Sequence, residues 1–323
     1  ATAAYMFWTV TLGAVPAILN VVMAYLVRAE GSAMHASVGT MSGCLLNILL
    51  DPIFILPWGL NLGAAGAGLA TCISNVVACL YFAVLLLVKR GHTYVCVHPK
   101  KFWCGRRIMG GVFAVGIPAS IQNLLNVTGM TVLNNFTAAY GASAVAAMGI
   151  AQKINIVPMY VSMGISQGIM PLISYNYASG NVDRMKQTVR FSRKAALSII
   201  LLISAFYFLL PGVMVSLFMQ DPEIVQYGSR FLRGFCLGLP FLCVDFLAVG
   251  VFQAVGMGKE ALAFAILRKV LLEIPALLIL NWLFPLYGLA YAQFIAECIL
   301  SLAAVLVLRR LFHRLESQPR PSP

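Results

Sequence analysis

Long apolar runs alternate with short polar breaks along the whole chain. Nine such runs lie near residues 5–28, 34–56, 62–88, 112–139, 144–177, 190–219, 228–255, 259–283 and 287–310. Each reaches about 20 residues or more, the length a helix needs to cross a hydrocarbon core about 30 Å thick. Backbone groups in lipid must bond to one another, so runs of this length predict helices. The pattern therefore predicts an all-α, multi-pass membrane protein whose main partner is the lipid bilayer.

One stretch, Gly111 to Asn181, carries more polar groups than a membrane anchor needs. It reads as two helices joined at Tyr140-Gly141-Ala142. Gln122 and Asn126 are four apart, with Gly129 three further on, so they share a helix face. On the second helix Gln152, Asn155, Met159, Ser162 and Ser166 follow spacings of 3, 4, 3 and 4 and form one stripe, with Lys153 beside it. Pro158 and Pro171 interrupt that helix and free backbone carbonyls. Such groups either hold helices together or line a wet cavity. Their convergence on two adjacent helices favours the cavity wall.

Composition supports the membrane reading. Hydrophobic residues make up 61% of the 323 and charged residues 10%, too little polar surface to clothe a water-soluble globule. The net charge of +12 points to an acidic partner only until the charges are placed. Lys89, Arg90, Lys100, Lys101, Arg106 and Arg107 crowd one break. Arg184, Lys186, Arg190, Arg193 and Lys194 crowd another, and Arg309, Arg310, Arg314 and Arg320 fall in the tail. The breaks at 57–61, 140–143, 219–227 and 281–287 hold almost no Lys or Arg. This is the positive-inside pattern; it puts the basic loops and the C-terminus in the cytoplasm and removes the case for nucleic acid. Arg230 and Arg233, near an external helix end, read as snorkelling side chains.

None of the eight cysteines lies in an external loop, so no disulfide framework is expected. His92, Cys96, His98 and Cys104 are residue types that suit zinc, but their spacing matches no standard site and no metal is expected. Residue 1 is Ala and no signal peptide is visible, which suggests a chain that begins inside a longer protein or was trimmed.

The chain also repeats itself. Gly66 to Asn75, GAGLATCISN, lines up with Gly288 to Glu297, GLAYAQFIAE, and Gly31 with Gly256. Each glycine precedes an apolar run with a proline well along it, Pro52 or Pro275. Segments 1–3 thus look like a copy of segments 7–9, a construction common in transporters. Near the end of the second segment, Asn47 can hydrogen-bond Asp51 across one turn. Asp51 reads as a structural outer-end group or an ion site.

These motifs resemble the multidrug and toxic compound extrusion (MATE) family. The resemblance rests on Asn47-x-x-x-Asp51-Pro52 with the Gly/Ala-rich run after it, on Gly116-Ile117-Pro118-Ala119, and on Gly164-Ile165-Ser166-Gln167-Gly168-Ile169-Met170-Pro171 with the Leu172–Tyr177 run that follows. It spans essentially the whole chain and is closest to bacterial members. It implies a two-lobe, inverted-V fold and export of small organic cations and drugs against inward Na⁺ or H⁺, with no other cofactor, in the bacterial cytoplasmic membrane. On that comparison the chain holds helices 4 to 12 and lacks the first three. Residues 1–88 are then the C-terminal part of an incomplete N-lobe, 89–111 a cytoplasmic inter-lobe loop, 112–312 a complete six-helix C-lobe and 313–323 a cytoplasmic tail. A monomer is expected. Some members carry an acidic residue on the helix matching 112–139, where this chain has only Gln122, Asn123 and Asn126, so the coupling ion stays open.

Three carboxylates fall at membrane depth, Asp245, Glu273 and Glu297, and each is a functional candidate with a structural rival. Asp245 has no cation within one turn of its helix. It needs a proton, a bound cation, or a partner from another helix, for which Lys153 is the candidate. Glu273 follows Lys269 at i+4, so an intrahelical pair explains it equally well. Glu297 matches Asn75 in the repeat, which suggests a polar contact inside a lobe. The leading site candidates are Asp245, Glu273, Gln122, Asn126, Gln152, Asn155 and Lys153, followed by Asp51, Glu297, Ser162 and Gln167. No catalytic signature appears: the four histidines form no His-Glu-x-x-His pattern, and Gly258-Lys259 lacks the hydroxyl residue of a phosphate loop. A lipid-linked oligosaccharide flippase is the alternative, but it needs several cavity cations to hold pyrophosphate. Only Lys153, Arg268 and Lys269 lie deep enough.

Overall fold

The computed structural model describes residues 2–57, 59–91, 93, 95 and 105–317. The chain divides into two units, Ala1–Trp103 and Cys104–Pro323. In the first unit, α1 (Thr2–Met6) continues through a π-helical stretch, Phe7–Leu12, into α2 (Ala14–Ala29) with a bend of 49°. Helices α3 (Ala33–Ile55) and α4 (Ala64–Val88) complete it. The small residues set how closely these helices approach. Gly39 of α3 lies against the fully buried Phe82 ring of α4, where a Cβ would overlap the ring. Ala24, Val27 and Ala36 close around the same ring.

The second unit opens with α5 (Arg106–Ala138), α6 (Ala142–Ala178), α7 (Val182–Leu209) and the short α8 (Pro211–Ser216). It continues with α9 (Pro222–Ala254) and α10 (Gly258–Ile266). A π-helical stretch, Leu267–Glu273, leads into α11 (Ile274–Leu283), and α12 (Gly288–Ser317) is last. Helix α9 is its centre, buried along most of its length against α6, α7 and α12. The Asp221 carboxylate caps it, accepting from the Glu223 N–H at 2.9 Å and the Ile224 N–H at 3.3 Å. Pro158 in α6 has no N–H to give the Ile154 carbonyl; the Tyr207 hydroxyl of α7 donates to that carbonyl instead, at 3.3 Å.

The two aligned glycines end their helices in the same way. Gly31 has φ +83° and Gly256 φ +80°, a conformation that favours glycine. After each, the next N–H reaches back across the last turn, Ser32 to the Val27 carbonyl at 3.2 Å and Met257 to the Phe252 carbonyl at 2.7 Å, the Schellman closure.

Nine spans were expected, and that number is corrected. Seven helices among the described residues are long and apolar enough to cross a membrane, with an eighth if the bent pair Thr2–Leu12 and Ala14–Ala29 is one span. The run at 259–283 is not a plain apolar helix: it is three consecutive pieces with Arg268, Lys269 and Glu273 inside the π-helical one. The run at 190–219 breaks at Leu210, before Pro211, and the helix expected from residue 112 already begins at Arg106.

Candidate functional site

The second unit gathers its deep charges into one cluster. Asp245 comes from α9, Arg268 and Glu273 from the π-helical stretch, and Glu297 from α12; they are 1%, 3%, 6% and 1% exposed. Nη1 of Arg268 donates to Oδ2 of Asp245 at 3.1 Å and lies 3.8 Å from Oε1 of Glu297, while its Nη2 donates to Oδ1 of Asn126 on α5 at 2.6 Å. The guanidinium also stacks over the Phe246 ring, 5.3 Å from its centre. One residue further on, Nζ of Lys269 holds both Glu273 oxygens at 2.7 and 2.6 Å. The Lys269 stem passes so close to Gly129 of α5 that a Cβ there would lie 3.0 Å from it. π-Helical turns recur at functional sites because they re-aim side chains within a helix.

The partner expected for Asp245 is corrected. Lys153 is exposed and joins none of the ion pairs among the described residues. Arg268 takes that place, so Asp245 is not unpaired. Of the face on α5, Asn126 joins the cluster and Gln122 accepts from Gln253 of α9 at 3.4 Å. The stripe on α6 does not form one wall. Gln152 donates to Asn134 at 3.1 Å. Ser162 turns back onto the Pro158 carbonyl at 3.0 Å, and Ser166 donates to the Phe246 carbonyl of α9 at 2.7 Å, so both hydroxyls serve helix packing. Asn155 Oδ1 is buried without a hydrogen-bond partner among the described residues, and Gln167 is half-buried on α6. In the first unit Asn47 donates to Asp51 at 3.4 Å. His92, Cys96, His98 and Cys104 lie outside the described residues; among the described ones no group of three or more His, Cys, Asp or Glu is placed to hold a metal ion.

Arg268 is the residue that sequence reasoning failed to connect, and the repeat held the signal. Asn20 and Asp245 each stand eleven residues before their turn glycine, and Asn75 matches Glu297. In the first unit Asn20 donates to Asn75 at 3.1 Å. In the second, the matching positions are two carboxylates with Arg268 between them. Fully ionised, Asp245, Glu273 and Glu297 outnumber Arg268 and Lys269 by one negative charge. Asp245 Oδ1 and Glu297 Oε2 are also buried without hydrogen-bond partners among the described residues. Excess charge in a low-dielectric interior costs several kcal/mol, so this arrangement favours uptake of one proton or one monovalent cation.

Among the described residues, seven helices long and apolar enough to cross a membrane and a buried charged cluster define a multi-pass helical membrane protein. The MatE family model matches residues 118–279, and the chain belongs to the MATE family. The multidrug export protein MepA of Staphylococcus aureus (strain bovine RF122 / ET3-1) is 36% identical over 299 residues, covering 92% of this chain and 65% of that protein. The chain therefore spans about 65% of the length of this curated relative. Among solved structures, an outward-facing multidrug resistance MATE transporter of the MOP superfamily aligns with TM-score 0.90 and 26% identity over 98% of this chain and 70% of that one. A MOP superfamily transporter from Pyrococcus furiosus aligns with TM-score 0.86 and 27% identity over 93% and 67%.

These alignments overturn the expectation of a bacterial-type chain reduced to helices 4 to 12, with an incomplete N-lobe beside a complete C-lobe. The solved fold follows 98% of this chain, through both units, and 70% of its own length is matched, so both units are all-α parts of the MATE fold and the assignment to helices 4 to 12 is not kept.

Proposed function

We propose that this protein works as a secondary antiporter that exports small organic cations and drugs in exchange for inward Na⁺ or H⁺. The activity reading draws on family membership and on the multidrug export relatives. The observation that carries it is the buried Asp245–Arg268–Glu297 cluster, one negative charge in excess, at a contact that the other repeat makes with two neutral amides. If packing alone were at stake, an Asn pair would serve there, as it does at Asn20 and Asn75. The charge surplus gives an incoming ion a place to bind, and Arg268 gives the carboxylates an alternative partner when the ion leaves. Asp245 takes up the ion, Asn126 holds the guanidinium, and Gln122 extends the polar face. Glu273 and Lys269 supply the second ion pair.

The loop charges support a cytoplasmic C-terminus and a cytoplasmic 89–111 segment in a bacterial plasma membrane, with the monomer as the working unit. The flippase alternative needs several free cations, and with Arg268 and Lys269 engaged by carboxylates only Lys153 of the three deep candidates is left. The test is Asp245→Asn in proteoliposomes carrying an imposed Na⁺ or H⁺ gradient, with a fluorescent organic cation as substrate. Gradient-driven export falls to the protein-free rate, while the cation still binds and the protein still inserts. Export by the variant at the wild-type rate removes Asp245 from coupling.

A further inference from the structure

Two membrane spans of the second unit end side by side, and cations outnumber the carboxylates Asp183 and Glu316 at those ends. Lys186, near the start of α7, pairs with Glu316, near the end of α12, and its ammonium lies 5.7 Å from the Phe312 ring centre. Met185 and Val189 of α7 share an apolar cluster with Leu308, Leu311 and Leu315 of α12. The contact brings two distant stretches of basic sequence to one end of the bundle. Lys186, Arg190, Arg193 and Lys194 stand at i, i+4, i+7 and i+8, one stripe of α7. Lys186 has its charge met by Glu316; Arg190, Arg193 and Lys194 are exposed, as are Arg309 and Arg310 on α12.

The same helix faces say what lies against these cations. On α12 the exposed residues preceding them are Tyr291, Ile295, Ile299, Leu302 and Leu306, an uncharged stripe at helical spacing that runs straight into Arg309 and Arg310. On α7 every exposed residue from Ile199 to Leu209 is apolar, and the cations lie one to three turns earlier. Both faces thus change from hydrocarbon-compatible to cationic where the two helices approach their shared end. At that depth the groups a bilayer offers are headgroup phosphates. A soluble anion would not need the apolar stripes, and a protein partner would have to cover both faces across the membrane boundary.

From this juxtaposition we infer that the paired ends of α7 and α12 form a docking surface for anionic phospholipid headgroups, with Arg190, Lys194, Arg309 and Arg310 as the contacting cations. Phosphatidylglycerol fits because its phosphodiester keeps a net negative charge. In phosphatidylcholine the choline cancels it.

The experiment is native mass spectrometry of the chain released from nanodiscs that contain equal amounts of phosphatidylglycerol and phosphatidylcholine. The unmodified chain retains phosphatidylglycerol in preference, and added salt weakens the preference. Each cation near an anionic surface is worth about fivefold, so Arg190→Gln, Lys194→Gln, Arg309→Gln and Arg310→Gln together reduce the preference by about fivefold or more. The charge-keeping set Arg190→Lys, Arg309→Lys and Arg310→Lys retains it, which separates loss of charge from loss of fold. Equal retention of the two lipids by the unmodified chain, or an unchanged preference in the Gln set, overturns the inference. So does displacement of the lipid by inorganic phosphate, which would mark a site for free anions.

Discussion

Arg268 holds two carboxylates that have almost no access to water, so removing it alone and removing the whole charge set should have opposite effects. Arg268→Met takes away the 3.1 Å bond to Asp245, the 2.6 Å bond to Asn126 and the 3.8 Å approach to Glu297. It leaves Asp245 and Glu297, each 1% exposed, facing one another without their cation. Breaking a buried pair by deleting one partner costs about 3–5 kcal/mol. Neutralising every member can be neutral or stabilising by about 1–4 kcal/mol, because no charge is left to desolvate. The triple variant Asp245→Asn, Arg268→Met, Glu297→Gln should therefore match or exceed the unmodified chain in stability. The single Arg268→Met variant should fall about 3–5 kcal/mol below it. Denaturant unfolding in detergent at neutral pH, followed by far-UV circular dichroism, reads both. Gradient-driven export should be lost in both variants, so that stability and coupling come apart in the triple one. A triple variant no more stable than the single one would refute the reasoning, because charge would then not be what the cluster has to manage.

Three further outcomes test the packing and the topology. Gly39→Leu should destabilise the first unit by about 1–3 kcal/mol, since a side chain there meets the Phe82 ring; Phe82→Ala in the same background should recover part of that loss in a melting experiment. Tyr207→Phe should cost about 1–3 kcal/mol by leaving the Ile154 carbonyl buried without a donor, and unfolding midpoints of the two proteins measure it. With Ser317→Cys, an impermeant thiol reagent should label the C-terminal end of α12 only after the cells are permeabilised; rapid labelling of intact cells would reverse the orientation.

Long apolar runs made the helices legible, because only a helix satisfies its backbone across a hydrocarbon core of about 30 Å. The turn glycines Gly31 and Gly256 were legible as equivalents for a related reason, since each ends a helix in a conformation that favours glycine. The 259–283 run misled because its flanks are as apolar as a true span. Lys269 and Glu273 inside it pair with each other, as their spacing allowed, but Arg268 finds partners on α5, α9 and α12, which no window along the chain can reveal. Asp245 stood out for lacking a cation within one turn of its helix. A period of 3.6 residues fixes which face a side chain occupies, but not which helix stands opposite, so exposed Lys153 was chosen over buried Arg268. The stripe on α6 failed in the same way. Its spacing is real, yet Ser162 and Ser166 spend their hydroxyls on the carbonyls of Pro158 and Phe246.

The two repeats also supply a comparison that mutagenesis would otherwise have to create. Each places a polar residue eleven positions before its turn glycine and another on the third helix of the triplet. Asn20 and Asn75 meet directly at 3.1 Å. Twelve positions past the turn, the first repeat has Gly43, packed so tightly on α4 that a Cβ would lie 3.1 Å from the Ser74 carbonyl oxygen and from the Ala78 Cβ. The second repeat has Arg268 at the matching position, and the direct contact becomes carboxylate, guanidinium, carboxylate. A polar contact between the first and third helices is thus common to both triplets, at a net worth of about 0.6–2 kcal/mol for an amide pair in a membrane interior. What the second triplet adds is charge, which costs more to bury than that contact returns. A cost of that kind, set at one copy of a contact whose other copy avoids it, is what an ion-coupled site requires and a purely structural one does not.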